Sequence, residues 1–305
     1  MSDRLVIGAA QLGQAYGRGP RREPPSEHEA DAWYDAVVAV NARGIDTARA
    51  YGDSEAVIGR ARDGRPGPAL ITKIRPLPEF DADSDPAAVE RAVRESLAAS
   101  FAALRVDSVD TVLLHRARDL RAGAGRSVTI LDSLRADGVI IEWGVSVGSL
   151  DELLAALQLP GLGHVQVPYN LLDRRWCEPP VVAAIRSRPK VVIAARSTYL
   201  QGILVDPLAR SWPGPHPADA TELADRLDRI RRALGRESLR DLALGYVLGH
   251  PWVGAVVVGA RSAAQITDTA RLVARPPLTL AELDWVRSEL PAGPLDLVDP
   301  SRWKG

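Results

Sequence analysis

Four residues have the side chains needed to hand a proton to a carbonyl oxygen. Asp46 and Tyr51 lie five positions apart in the segment 44–55, next to a short apolar run. Lys73 and His115 each end an apolar run of their own. A free phenol has a pKa of ~10 and is a poor acid at neutral pH, but a nearby ammonium favours the phenolate and makes proton donation easier.

The types of these residues predict how they would act together. Lys73 would supply the ammonium beside the phenol of Tyr51, and Asp46 would hold Lys73 as an ion pair. His115 would orient a carbonyl oxygen by a hydrogen bond or relay a proton. Such a site also needs a hydride donor, and since side chains cannot supply one, the four residues imply a nicotinamide cofactor.

A second motif points to different chemistry. Gly144-Val-Ser-Val-Gly148 matches the nucleophile elbow of serine hydrolases, with Ser146 as the nucleophile. An elbow serine turns directly into its helix, whereas the capping-box pattern of Ser149 and Glu152 starts this helix three residues later. A serine hydrolase is therefore a distant alternative.

Composition narrows the class of protein. The 305 residues are 46% apolar with a net charge of −1, which argues against nucleic acid or a membrane surface as a partner. A single cysteine, Cys177, excludes an intrachain disulfide, and the remaining histidines lack metal-ligand spacing. The chain shows neither a signal-peptide pattern nor an apolar run of ~20 residues, so a cytoplasmic protein without a metal is expected.

Strand-like and helix-like segments alternate along the chain. The predicted strands span residues 5–10, 45–47, 69–73, 109–114, 140–145, 164–167, 191–195 and 253–258. The predicted helices span residues 27–42, 53–61, 86–104, 127–136, 149–157, 180–186, 221–234, 238–248 and 262–273. Continuous apolar strands indicate a parallel sheet that is buried on both faces.

About eight such units in one chain favour a (β/α)₈ TIM barrel that forms a single domain over residues 1–305. An open doubly wound sheet stays possible, because a sequence does not show closure. In a barrel, the carboxyl ends of the strands carry the active site, and Asp46, Lys73 and His115 lie at such ends. Gly44 and Gly138 follow predicted helices, where a left-handed residue is expected.

Over nearly its full length, the chain resembles the aldo-keto reductase superfamily, in particular its bacterial members. The resemblance is carried by motifs in the family's order. They are Gly-Ile-Asp-Thr-Ala-x-x-Tyr-Gly-x-Ser-Glu at 44–55, Thr72-Lys73, Leu113-Leu114-His115, Gly144-Val145-Ser146, Gln166-Val-Pro-Tyr-Asn170 and Val258-Gly-Ala-Arg-Ser-Ala-Ala-Gln-Ile266.

This resemblance implies a role for each matched residue. Tyr51 would be the general acid, Lys73 and Asp46 would tune it, and His115 would orient the substrate. NADPH, or NADP⁺ in the reverse reaction, would be the usual cofactor. The positive charge of Arg261 and the N-terminus of the last barrel helix would both favour binding of the 2′-phosphate of the cofactor. The implied cofactor-binding residues are Ser146, Gln166, Arg196, Ser197, Leu200, Gly202, Gly259, Arg261 and Gln265.

Three positions depart from the family pattern. Val147 replaces a common asparagine, so one hydrogen bond to the nicotinamide carboxamide would be missing. Arg196 stands where the family has an aromatic residue that stacks on the nicotinamide, and its charge would favour the reduced cofactor. Thr269 stands where the family often has asparagine near the adenine.

The expected reaction is the reduction of an aldehyde, ketone or sugar carbonyl to an alcohol, or its reverse, by a monomer or weak oligomer. Two alternative functions would use the same site: a non-redox lyase or isomerase, and a cofactor-sensing subunit. Loops at 75–85, 116–126 and 206–217 would shape the substrate pocket. Arg75, Arg116, Arg118 and Trp212 hint at a polar, sugar-like or acidic substrate. Candidates to line the pocket are the aromatic residues Trp212, Tyr199 and Tyr16.

Overall fold

Eight parallel strands close into a barrel in the order β1 to β8, so the predicted (β/α)₈ fold is confirmed and the open sheet is excluded. The computed structural model describes residues 2–14, 25–208 and 220–303. The strands are β1 Leu5–Gly8, β2 Gly44–Asp46, β3 Ala69–Lys73, β4 Val109–Leu114, β5 Ile140–Ser146, β6 His164–Pro168, β7 Val192–Arg196 and β8 Ala255–Gly259.

Helices surround the barrel. Within the described residues they are α1 Ala10–Gly13, α2 Glu27–Ala39, α3 Ser54–Arg62, α4 Pro86–Leu104, α5 Arg126–Ala136, α6 Leu150–Leu157, α7 Pro179–Arg186, α8 Ala220–Ala233, α9 Leu239–Gly249, α10 Ala263–Val273, α11 Leu280–Glu289 and α12 Leu295–Val298. Within those ranges, no helix has the length and apolarity to cross a membrane. That the domain extends over residues 1–305 stays a prediction.

Side-chain caps fix several helix starts. Asp85 accepts a hydrogen bond from the backbone N–H of Ala87, ahead of Pro86 at the first position of α4. Ser149 and Glu152 form the predicted capping box of α6. A further capping box, formed by Thr279 and Glu282, starts α11.

The sequence prediction differs from the structure in several places. The first strand ends at Gly8 rather than at residue 10, and α2 ends at Ala39 rather than at residue 42. The prediction missed α11 and α12, although the Thr279 box was a readable signal. It began the last strand at residue 253, whereas β8 begins at Ala255. Gly44 is not a helix cap: it lies in β2, and Asn41 takes the left-handed conformation after α2 with φ of 50°.

The core has two parts. The larger one packs the outer faces of the strands against the helices, and the smaller one fills the barrel interior. Because strand side chains alternate between the two faces, every second residue of a strand points into the barrel. The interior cluster consists of Val6, Ile71, Leu113, Ala194, Ala255 and Val257, with Val192 packed against it.

Candidate active site

The candidate site lies directly above the interior cluster. Ile71 and Leu113 belong to this interior cluster. Lys73 and His115 follow them by two positions toward the carboxyl end, so they lie on the same inward face. The other strands reach the same level by register, since Gly8 pairs with Asp46 and Gln166 pairs with Ser146. Arg196 and Gly259 follow Ala194 and Val257 by the same step. The pleat therefore directs seven of the predicted site residues inward: Asp46, Lys73, His115, Ser146, Gln166, Arg196 and Gly259.

Asp46 and Lys73 form a buried ion pair. Lys73 Nζ lies 2.7 Å from Asp46 Oδ1 and 2.9 Å from the carbonyl oxygen of Thr47. Their side chains are 1% and 6% exposed, respectively. Burial by itself lowers the pKa of Lys73, but the negative charge of Asp46 and the phenol of Tyr51 outweigh it, so the pKa is raised and Lys73 is charged.

A short loop after β2 brings Tyr51 over Lys73, with the ammonium nitrogen 4.9 Å from the ring centroid. The Ser54 hydroxyl fixes this loop, since it donates to the Ala9 carbonyl oxygen at 2.8 Å and lies 2.9 Å from Thr47 Oγ1. Gly13 packs against the same loop so closely that a Cβ there would lie 2.0 Å from the Tyr51 carbonyl oxygen. Glycine is therefore required at position 13.

His115 meets Tyr51 edge to face, with ring centroids 5.6 Å apart and an interplanar angle of 88°. Burial lowers the pKa of His115 to about 3, helped by the positive charges of Lys73, Arg116 and Arg196. The imidazole is therefore neutral at neutral pH and has one donor and one acceptor nitrogen. Its buried Nδ1 has no hydrogen-bond partner among the described residues.

Polar side chains gather where β5 and β6 end. Ser146 and Gln166 are buried, and Asn170 just beyond β6 is fully buried. The Asn170 Oδ1 accepts from the Leu172 N–H at 3.0 Å, yet its Nδ2 has no partner among the described residues. A buried amide left without partners is costly, so this cluster fits a ligand that carries an amide, such as the nicotinamide carboxamide.

Arg196 extends from β7 toward the segment that follows β5. One terminal nitrogen of its guanidinium lies 3.2 Å from the Val147 carbonyl oxygen, while its Nε is buried without a partner among the described residues. The chain then takes left-handed conformations at Ser197, Leu200 and Gly202, with φ of 61°, 46° and 102°. Strain of this kind often marks a functional segment. Stacking of Arg196 on a nicotinamide stays a prediction.

The segment after β8 leads into α10. Ser262 caps α10 by accepting from the Gln265 N–H at 3.3 Å, and the Gln265 Oε1 accepts from the Arg261 N–H at 2.8 Å. Gly259 is exposed at the end of β8. A helix N-terminus beside an arginine suits a phosphate group. Farther along α10, Thr269 is buried and accepts from an Arg240 terminal nitrogen at 2.9 Å.

The arginines that were expected to shape the substrate pocket separate into two kinds. Arg75 pairs with Glu79 at 2.5 Å, and Arg118 donates to the Pro78 carbonyl oxygen at 3.1 Å, so both brace the loop after β3. Arg116 is exposed next to His115 and, with Arg196, gives the mouth of the barrel positive charge.

Two of the three aromatic pocket candidates, Tyr16 and Trp212, lie outside the described residues. The third, Tyr199, packs against the main core, and its ring centroid lies 5.8 Å from the Arg240 guanidinium carbon of α9. Sequence reasoning missed the part that Gly13 plays in seating Tyr51. The sequence by itself shows only that Gly13 follows the first predicted strand.

The fold and the four gathered side chains define a barrel with a candidate acid–base site at the carboxyl ends of its strands. Residues 4–288 match the model of the aldo/keto reductase family, and the chain belongs to that family of carbonyl-reducing oxidoreductases.

The following relatives are similar to this chain at 21% to 24% sequence identity. The chain is 24% identical over 250 residues to the NADH-specific methylglyoxal reductase of Escherichia coli, which covers 73% of this chain and 76% of the relative. The holo form of an aldo-keto reductase from Bacillus halodurans superposes with a TM-score of 0.74 at 24% identity, covering 95% and 93% of the two chains. An aldo/keto reductase from Klebsiella pneumoniae, in complex with NADP and acetate, superposes with a TM-score of 0.70 at 21% identity, covering 95% and 92%.

Proposed function

We propose that this protein reduces the carbonyl group of a small aldehyde, ketone or sugar with NADPH, and that Tyr51 is the proton donor. The observation that carries the proposal is that four side chains lie together at the carboxyl ends of the strands: Asp46, Lys73, Tyr51 and His115. The Lys73 ammonium faces the ring of Tyr51, and Asp46 holds that ammonium in place. The neutral His115 would donate a hydrogen bond to the substrate carbonyl oxygen and orient it toward the phenol.

The nicotinamide, when bound, supplies hydride to the carbonyl carbon. Ser146, Gln166 and Asn170 would hold its carboxamide, while Arg196 to Gly202 would lie along the cofactor. Gly259, Arg261 and Gln265 would hold the adenosine phosphate end at the start of α10. The arginine at position 261 supports NADPH, as does the relative in complex with NADP. The NADH-specific relative favours NADH instead, and the assay below therefore compares the two cofactors.

The test follows NADPH and NADH absorbance against a panel of aldehydes, ketones and sugars. We expect NADPH-dependent reduction, and we expect Tyr51→Phe to lower kcat by about 100-fold or more, since general acid catalysis contributes at least that much. Cofactor affinity, measured by fluorescence titration, should be unchanged in Tyr51→Phe.

Other outcomes are equally decisive. Full turnover by Tyr51→Phe would exclude Tyr51 as the acid. Tight NADPH binding without turnover of any carbonyl would favour a cofactor-sensing subunit or a lyase or isomerase. Tighter binding of NADH than of NADPH would overturn the cofactor assignment. A cytoplasmic location and a monomeric or weakly oligomeric state stay predictions.

A further inference from the structure

Gln166 makes a contact across the barrel that the reaction above does not require. It lies on β6, which is four strands away from β2 and therefore opposite to it in the closed barrel. Its side-chain amide reaches across the interior and donates from Nε2 to Oδ2 of Asp46. Gln166 is 1% exposed and Asp46 is 4% exposed, so water does not replace this contact.

The orientation of the amide follows from chemistry. An ionised carboxylate accepts hydrogen bonds and cannot donate, so the amide nitrogen of Gln166 must face Asp46. The amide oxygen then points the other way, and it makes no hydrogen bond to the described residues. Asp46 consequently has two partners, the Lys73 ammonium on Oδ1 and the Gln166 amide on Oδ2.

This arrangement affects the charge that Tyr51 experiences. The positive charge of Lys73 favours the phenolate, whereas the negative charge of Asp46 opposes it. A donor on Oδ2 disperses part of that negative charge, so the net field of the ion pair at the phenol is more positive. Other charged or titratable groups near the phenol include the neutral His115 and the arginines beside it, Arg116 and Arg196. The segment that carries Tyr51 adds the ion pair of Arg49 and Glu55, which largely neutralise each other.

We infer that Gln166 is a positioning residue, which acts through Asp46 and Lys73 to make Tyr51 a stronger proton donor. This role is additional to any contact that Gln166 makes with a cofactor. It rests on the proposed function only in so far as Tyr51 is the acid.

The test titrates Tyr51 in the cofactor-free protein. The ultraviolet absorbance step of tyrosinate that disappears in Tyr51→Phe reports this side chain. In Gln166→Met, which keeps the length but removes the donor, we expect the midpoint of that step to move to higher pH by about one unit, or tenfold in proton affinity. In Gln166→Glu, which adds a carboxyl group of nearly the same shape, the shift should be at least as large.

Ser146→Ala is the matched control. Ser146 pairs with Gln166 in register and belongs to the same polar cluster. It makes no hydrogen bond to Asp46 within the described residues, so the midpoint of the Ser146→Ala variant should stay unchanged. A midpoint unchanged in both Gln166 variants, with weakened cofactor binding, would overturn the inference and leave Gln166 as a cofactor ligand alone. Since the measurement needs neither cofactor nor turnover, a protein that reduced no carbonyl could still show the shift.

Discussion

At the scale of single residues, the ion pair between Asp46 and Lys73 is costly to bury and depends on both partners. Removing two charges from water carries a large desolvation penalty, which is recovered only when the pair is intact and hydrogen-bonded. Here Lys73 also donates to the Thr47 carbonyl oxygen, and Asp46 also accepts from Gln166. Both charged groups therefore have hydrogen-bond partners, but removal of either charge would leave the other buried without a counter-charge.

We predict that Lys73→Met lowers the free energy of unfolding by about 3–5 kcal/mol, because it leaves Asp46 buried without a counter-charge. The double variant Asp46→Asn/Lys73→Met, which removes both charges, should be less destabilised than Lys73→Met. Urea unfolding followed by circular dichroism measures both. A double variant as unstable as Lys73→Met would show that packing, not the orphaned charge, sets the cost.

At the scale of elements, close approach between strands decides which residues the barrel accepts. Gly144 of β5 points into the interior, and a Cβ there would lie 1.9 Å from the His164 carbonyl oxygen of β6. No rotation of a side chain relieves a contact with backbone, so the strands themselves would have to separate. Ser146 and Gln166 pair two residues farther along the same two strands.

Gly144→Ala should therefore lower the free energy of unfolding by at least about 2 kcal/mol, since overpacking of a close-packed interior is destabilising. Gly148→Ala is the control: its Cβ would meet only Glu152 Oε2, at 3.7 Å, and should change stability by no more than about 0.5 kcal/mol. Thermal and urea unfolding of the two variants give the comparison. Equal effects would contradict the argument from strand spacing.

At the scale of the whole molecule, two histidines whose pKa is lowered connect stability to pH. Burial lowers the pKa of His250 to about 4, with a contribution from the positive charge of Arg287. Its Nε2 is hydrogen-bonded to the Tyr169 hydroxyl at 2.6 Å, and the same hydroxyl oxygen lies 2.9 Å from the Cys177 sulfur. Burial raises the pKa of both Tyr169 and Cys177, so the whole chain of groups is neutral.

The sign of the pH effect follows from these values. The unfolded chain protonates both histidines below about pH 6.5, whereas folded His115 and His250 take protons only near pH 3 and 4. The unfolded state then binds more protons, so the stability that these groups contribute is complete above pH 6.5 and falls as the pH drops toward 4.

We therefore expect His250→Gln to flatten the loss of stability between pH 6.5 and 4, by about 2–3 kcal/mol over that interval. His28→Gln, which changes a histidine exposed on α2, should leave the slope as it is. Urea unfolding at several pH values provides the measurement. If the two variants and the parent chain lose stability in parallel, His250 does not carry the effect.

Some of this protein could be predicted from its sequence by local rules. The bounds of β3, β4 and α4 were predicted to the residue, because apolar runs, Asp85 and Pro86 are local signals. The motif order led to the family, and apolar runs that end in Lys73 and His115 placed both side chains at strand ends.

Only the tertiary structure decided what crosses the barrel. Closure puts β6 opposite β2, so Gln166 and Asp46 meet although 120 positions separate them. It likewise sets Gly13 against the Tyr51 loop and turns Arg196 toward the Val147 carbonyl oxygen. The alternation along a strand indicates which of its residues face the barrel interior. Contacts between distant strands depend instead on how all eight strands are paired in the closed barrel.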